Sequence, residues 1–159
     1  MSKSIELSTA GIILRYAVET TEGTRPTSGY TNIPNILELP EFSGNPDNLE
    51  VTDLSDTEWK RYIPGLKDPG GAMGIRVNQT PGFTIAWETL CTAAKTAKAS
   101  GKGVWFEYFI PNHNSFFFRG EPTALGFGGA TVNSVLQNTV YITPNLIEGF
   151  KEPSTATNE

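Results

Sequence analysis

Short runs of β-forming apolar residues, separated by stretches rich in Gly, Pro, Thr and Asn, make up most of this chain. Residues 12–18 (Ile-Ile-Leu-Arg-Tyr-Ala-Val) predict a first strand. Residues 19–35 show no period and predict a long loop, of the kind that is functional or ordered by a partner. Residues 36–39 and 49–53 predict short strands, with a turn from Phe42 to Asp47 between them. Residues 54–72 form a second irregular stretch that holds Trp59, Tyr62, Ile63 and Leu66 and ends in Pro69-Gly70-Gly71. A strand is expected over 73–79, and another over 83–87, where Phe83, Ile85 and Trp87 alternate. From Glu88 the spacing changes. Trp87, Leu90, Cys91, Ala94 and Ala97 recur at helical intervals, and Ser100-Gly101 supplies a stop, which predicts one helix over about 88–99.

Val104-Trp105-Phe106-Glu107-Tyr108-Phe109-Ile110, a turn over 111–114, and Ser115-Phe116-Phe117-Phe118-Arg119 read as a hairpin. The second strand is expected to continue, bent, through 124–126 before glycines turn the chain, and a last strand is expected near 139–143. The reading is one domain over 1–150 and a loose polar tail over 151–159. About eight strands and one helix predict a mainly β fold, a β-sandwich or barrel with a flanking α-helix and long loops.

Charge changes this picture little. Twelve Lys and Arg against 17 Asp and Glu give a net charge of −5, which argues against a reader that neutralises phosphates over its surface. A single cysteine, Cys91, allows no intrachain disulfide, and with a single histidine, His113, it leaves no zinc-type ligand set. No run of 18 apolar residues exists, and the N-terminal residues lack the apolar core of a secretory signal, so synthesis in a cytoplasm is expected. Seven acids and no base lie from Glu38 to Glu58. A glycosidase-type carboxylate pair is one reading of them, and a solvated acidic surface is the commoner one. Cys91 reads as a small buried hydrophobe, His113 as an exposed turn residue, and the glycine clusters as turn chemistry rather than phosphate loops.

The aromatic residues of 105–118 lie on both faces of one hairpin. Either a helix covers the second face of a sandwich, or that face packs on a neighbouring subunit. Single-stranded nucleic-acid binding is disfavoured, because Arg119 is the one basic residue between 103 and 143. The apolar residues of 54–72 suit anchors in an arm that contacts another subunit; the alternative is a loop folded back on its own core.

One block is familiar. Val51-Thr52-Asp53-Leu54-Ser55-Asp56, followed by Tyr62-Ile63-Pro64-Gly65-Leu66-Lys67-Asp68, resembles the middle of the tail tube (major tail) proteins of phages with long non-contractile tails. Phe83-Thr84-Ile85-Ala86-Trp87 before the single helix, then Phe109-Ile110-Pro111-Asn112 and Phe118-Arg119-Gly120, follow that family's order over roughly residues 33–145. Ile110 departs from the pattern, and the loop over 19–35 takes no assignment from it.

The resemblance implies subunits that form six-membered rings stacked into a tube, without catalysis or cofactor. Self-association, other tail proteins (tape measure, terminator, distal tail) as partners, a place in the virion tail, and duplex DNA passing through the bore without specific binding follow as expectations. Trp59, Tyr62, Ile63 and Leu66 are the candidate inter-subunit contacts. Glu38, Glu50 and Asp53 are the candidate lumen-facing acids, since carboxylates along a bore repel phosphate. The inner tube of a contractile tail or phage-like bacteriocin, a monomeric β-barrel binding module, and an enzyme with an acidic cleft are the rival readings.

Overall fold

The computed structural model describes residues 7–41, 46–67 and 72–154. The chain falls into two compact units, one made of residues up to Pro40 and from Ala72 onward, the other of Glu41–Gly71.

The larger unit holds β1 (Ile13–Val18), β2 (Thr31–Ile33), β3 (Ile36–Glu38), β6 (Met73–Asn78), α1 (Pro81–Ala99), β7 (Val104–Phe109), β8 (Ser115–Pro122) and β9 (Gln137–Lys151). Its seven strands form one antiparallel sheet in the order β2-β1-β7-β8-β9-β6-β3. Laid flat, the outer strands of such a sheet would stand about 29 Å apart at the usual inter-strand spacing. Yet β2 ends at Ile33 and β3 begins at Ile36, and three Cα steps span at most about 11 Å. The sheet must therefore roll up until its edges meet, and it forms a nearly closed barrel. β9 turns one corner: Gln137–Ile142 pairs with β6, and Ile142–Lys151 with β8. Two register shifts opposite β8 and the mid-strand Pro144 mark the bend, as expected where a strand changes partners.

The mainly β architecture with one helix is what the strand pattern predicts, but several elements differ. The helix begins seven residues earlier than its expected start at 88, so Phe83–Trp87 is helical and not a strand. Thr80 caps it, with Oγ1 accepting from the Phe83 amide at 3.1 Å, and Pro81 follows where no amide donor is needed. Phe83, Trp87 and Leu90 are fully buried along one face, whereas Ile85 is exposed, which is the helical and not the alternating pattern. The helix ends in a Schellman motif: the amides of Gly101 (φ +77°) and Lys102 donate to Lys98 and Ala97 carbonyls. α1 lies against β1, β2 and β8, and Trp87 Nε1 donates to the Thr123 carbonyl at 2.9 Å. Part of the long loop, residues 31–33, is a strand, and β8 stops at Pro122 rather than running on to 126.

The second face of the aromatic hairpin is covered by the chain's own irregular segments. Register places Arg15, Glu107 and Phe117 side by side on that face, with Ala17, Trp105 and Arg119 beside them. The 19–35 loop closes over it: Tyr30 packs edge-on against Phe117 at 5.9 Å and joins Ala17 and Trp105 in a buried cluster. The Arg25 guanidinium lies 4.2 Å over the Phe117 ring. Glu19, fully buried, accepts from the Gly103 amide (2.9 Å), the Trp105 indole (2.7 Å) and the Gly23 amide (3.1 Å). Burial pushes its carboxyl up, but these three donors and Arg119 outweigh that and hold it below its ordinary value.

The segment after β9 contributes too. The Ser154 hydroxyl donates to Glu107 Oε1 at 2.7 Å, its amide donates to Oε2 at 3.2 Å, and Arg15 stands 3.7 Å from the same carboxylate. The tail expected to be loose from Lys151 is thus tied as far as Ser154; residues 155–159 lie outside the described residues.

The smaller unit is an antiparallel hairpin of β4 (Pro46–Glu50) and β5 (Tyr62–Lys67). The sequence predicts an irregular stretch over 54–72, and β5 corrects it. Pro64 and Gly65 disguise the strand, yet a two-stranded ribbon has a free edge on each strand and tolerates both residues.

Candidate functional site

Among the described residues no three His, Cys, Asp or Glu side chains gather as a metal site, and no helix is long and apolar enough to cross a membrane. Exposed apolar side chains are scattered over the described residues, on β9 and α1 among others, and two groups of them stand in irregular loops.

The first is the tip of the smaller unit. Residues 51–61 are held by polar contacts of their own. The Val51 amide donates to the Arg61 carbonyl at 2.8 Å, and the Arg61 amide to Thr52 Oγ1 at 2.8 Å. Asp53 accepts from the Ser55 hydroxyl at 2.6 Å and the Ser55 amide at 2.9 Å, and these bonds hold its carboxyl below the ordinary value. Arg61 Nε donates to Asp56 Oδ2 at 2.9 Å and stands 3.6 Å from Asp53. With the backbone so tied, the apolar side chains are turned out. Leu54 is fully exposed, Trp59 is 79% exposed, and Tyr62 and Ile63 are about half exposed. Leu66 lies on β5, and its side chain is outside the described residues. In this chain the tip does not bury its apolar residues, so the alternative of a loop folded back on its core does not describe Leu54 or Trp59.

The second place was not singled out by the sequence reading. Residues 123–136 cross the outside of the barrel as an irregular loop with Phe127, Val132 and Val135 exposed. The loop is pinned to β9 by the Asn138 amide, which donates to the Gly126 carbonyl at 2.8 Å and to Gln79 Oε1 at 2.9 Å. A Cβ on Gly128 would stand 2.5 Å from the Gln137 carbonyl oxygen, so glycine is required there for the close approach. Between loop and sheet runs an open groove of about 510 Å3, with Phe127 and Tyr141 along it, Arg76 beside them, and Gly126 and Gly128 leaving it unfilled. Large apolar residues in a glycine-rich loop are the same signal that marked 54–72, and they identify this loop equally well.

Of the three candidate acids, Glu38 belongs to the larger unit, and Glu50 and Asp53 to the smaller. Glu38 is on β3 opposite Arg76, with an ion pair at 3.7 Å between half-exposed side chains. Glu50 is exposed at the end of β4, and Asp53 is part of the tip network. His113 packs edge-on against Phe150 at 5.3 Å, and its Nδ1 lies 2.9 Å from the Asn114 carbonyl oxygen. Cys91 is partly buried on α1, and burial pushes its thiol up.

No family model matches this sequence, and no curated protein sequence does either. Its fold, however, is found in solved structures. A chain in the cryo-EM structure of the anti-feeding prophage (AFP) baseplate, 6-fold symmetrised, is similar with a TM-score of 0.57 and 9% identity, over 94% of this chain and 97% of that one. A chain in the tail of an empty GTA particle, from helical refinement with C6 symmetry, is similar with a TM-score of 0.57 and 11% identity, over 92% of this chain and 100% of that one. This nearly closed barrel with one helix is therefore a fold that also occurs in a phage-derived baseplate and in a particle tail.

Proposed function

We propose that this chain is a structural subunit of a phage-type tail, stacking as six-membered rings into a tube that conducts the genome, without catalysis or cofactor. The observation that carries the reading is the self-ordered tip that holds Leu54 and Trp59 in solvent. Ordering a loop in order to expose an indole is unfavourable for a monomer and suits an interface anchor. Two further points support it. The fold recurs in six-fold symmetric assemblies. The hairpin is a two-stranded ribbon, which is marginal by itself and gains from packing on something else. On this reading Trp59, Tyr62, Ile63 and Leu66 contact another subunit, other tail proteins cap and fill the tube, and the chain resides in the virion tail. The likeness to a baseplate chain favours one second reading, a ring or inner tube of a contractile or bacteriocin-like particle.

The test replaces residues 51–61 by Asn-Gly, which joins the paired residues Glu50 and Tyr62 through a tight turn and keeps the hairpin. Sedimentation and electron microscopy at rising concentration are expected to show rings or tubes for the wild type and a folded monomer for the variant. Tubes of normal length from the variant overturn the assignment. Closed rings that never stack favour the baseplate reading.

A further inference from the structure

The geometry points to the groove beneath the 123–136 loop as the seat for the hairpin tip of a second copy of this chain, with the Trp59 indole entering it. This rests on the assembly reading above and adds the surface that the arm meets. A chain that associates head to tail needs two unlike, complementary patches. The described residues supply an exposed aromatic tip and an open groove with Phe127 and Tyr141 exposed along it.

A cation and aromatic rings together mark this groove out. The Glu41–Gly71 unit contains seven acids against three bases, so it carries −4 of the molecule's net −5. The groove under the 123–136 loop presents Arg76. That guanidinium is about half exposed; it donates to Gln137 Oε1 at 2.7 Å, and its pair with Glu38 is 3.7 Å long and worth little, which leaves its charge for Glu58, next to Trp59. Arg76 and two aromatic rings are also the groups that stack on an indole. The groove between Ile12 and Leu37 offers an acid, Glu38, and no cation. The one near the end of α1 has three bases, Lys98, Lys102 and Arg119, but no ring lines it, so it offers an indole nothing to stack on.

The fold provides a clean probe. A Cβ on Gly126 meets nothing within 4 Å and its backbone is not left-handed, so Gly126→Leu fills the groove without straining the loop. Circular dichroism and melting of this variant should match wild type. Its self-association constant should fall about 30-fold, the effect of losing one interfacial anchor. In a Cys91→Ala background, which has no other cysteine, a tagged Thr57→Cys chain mixed with an untagged Ala124→Cys chain should form the mixed disulfide in preference to either homodimer.

Normal association by Gly126→Leu, or crosslinking without that preference, overturns the groove while leaving assembly standing. An intramolecular disulfide in monomers that carry both cysteines overturns it as well, because the tip then seats on its own barrel. A wild-type chain that stays monomeric at every concentration overturns the assembly reading itself.

Discussion

Glu19 shows how a single buried charge organises a long loop. Its carboxylate gathers amides from Gly23 and Gly103 and the Trp105 indole, and Arg119 Nε stands 3.7 Å away. The loop over 19–35 thereby starts from a fixed point and can lie across the hairpin. Because the folded carboxyl titrates below its ordinary value, the unfolded chain takes up the proton first as pH falls. The stabilisation is present above the ordinary carboxylate range and is lost as pH drops through it. Glu19→Gln presents an amide donor where three donors already converge, and the expected loss is about 1–3 kcal/mol at neutral pH. Urea melts at pH 7 and pH 4 check this: the wild type should lose more stability between the two than the variant does. A variant with wild-type stability and an identical pH profile overturns the role given to Glu19.

At the scale of elements, α1 depends on its first turn. Thr80 satisfies the Phe83 amide and itself donates to Asn35 Oδ1 at 2.7 Å, which links the helix start to the short connection between β2 and β3. Thr80→Ala should lower stability by about 1 kcal/mol, measured by denaturant unfolding. An unchanged midpoint overturns the cap. The same Thr-Pro pair was legible in the sequence, and it would have moved the helix start from 88 to 81. Instead Phe83, Ile85 and Trp87 fit a two-residue period as well as part of a helical one, an ambiguity that short apolar runs always carry.

Strands with strong alternation or β-branched runs (β1, β6, β7, β8 and the first half of β9) were legible because both their spacing and their composition point one way. β5 was not, since Pro64 and Gly65 sit inside it. Nor was the cover on the second aromatic face legible, for a different reason. It is built from Tyr30, Arg25 and Ser154, single residues of irregular segments, and no period announces them. Of the candidate contacts, Trp59, Tyr62 and Ile63 were legible as apolar residues among turn formers; the groove they could meet was not, because it is a shape made by β6, β9 and a loop distant in sequence.

At the scale of the whole molecule the uneven charge matters most. Nearly all of the net negative charge belongs to the Glu41–Gly71 unit. If that charge faces a bore, duplex DNA, with one phosphate per about 1.7 Å of axis, finds no sticking point. Each candidate acid must be changed in a way its surroundings allow. Asp53 holds Ser55 and Arg61, so Asp53→Asn keeps the acceptor and removes the charge. Glu38 and Glu50 are exposed, so Glu38→Lys and Glu50→Lys reverse charge at small cost to folding. Electron microscopy first selects the tubes that the combined variant builds, because Glu38 neighbours Arg76 and the change also lowers the charge of the tip. Incubated at low salt with labelled duplex and then with nuclease, tubes of the variant should retain protected DNA, and wild-type tubes should not. Raising the salt should release it steeply, since each phosphate contact returns a counterion. DNA that binds the variant but is digested places these side chains on the outer wall, and equal retention by both proteins removes electrostatic lubrication from the proposed mechanism.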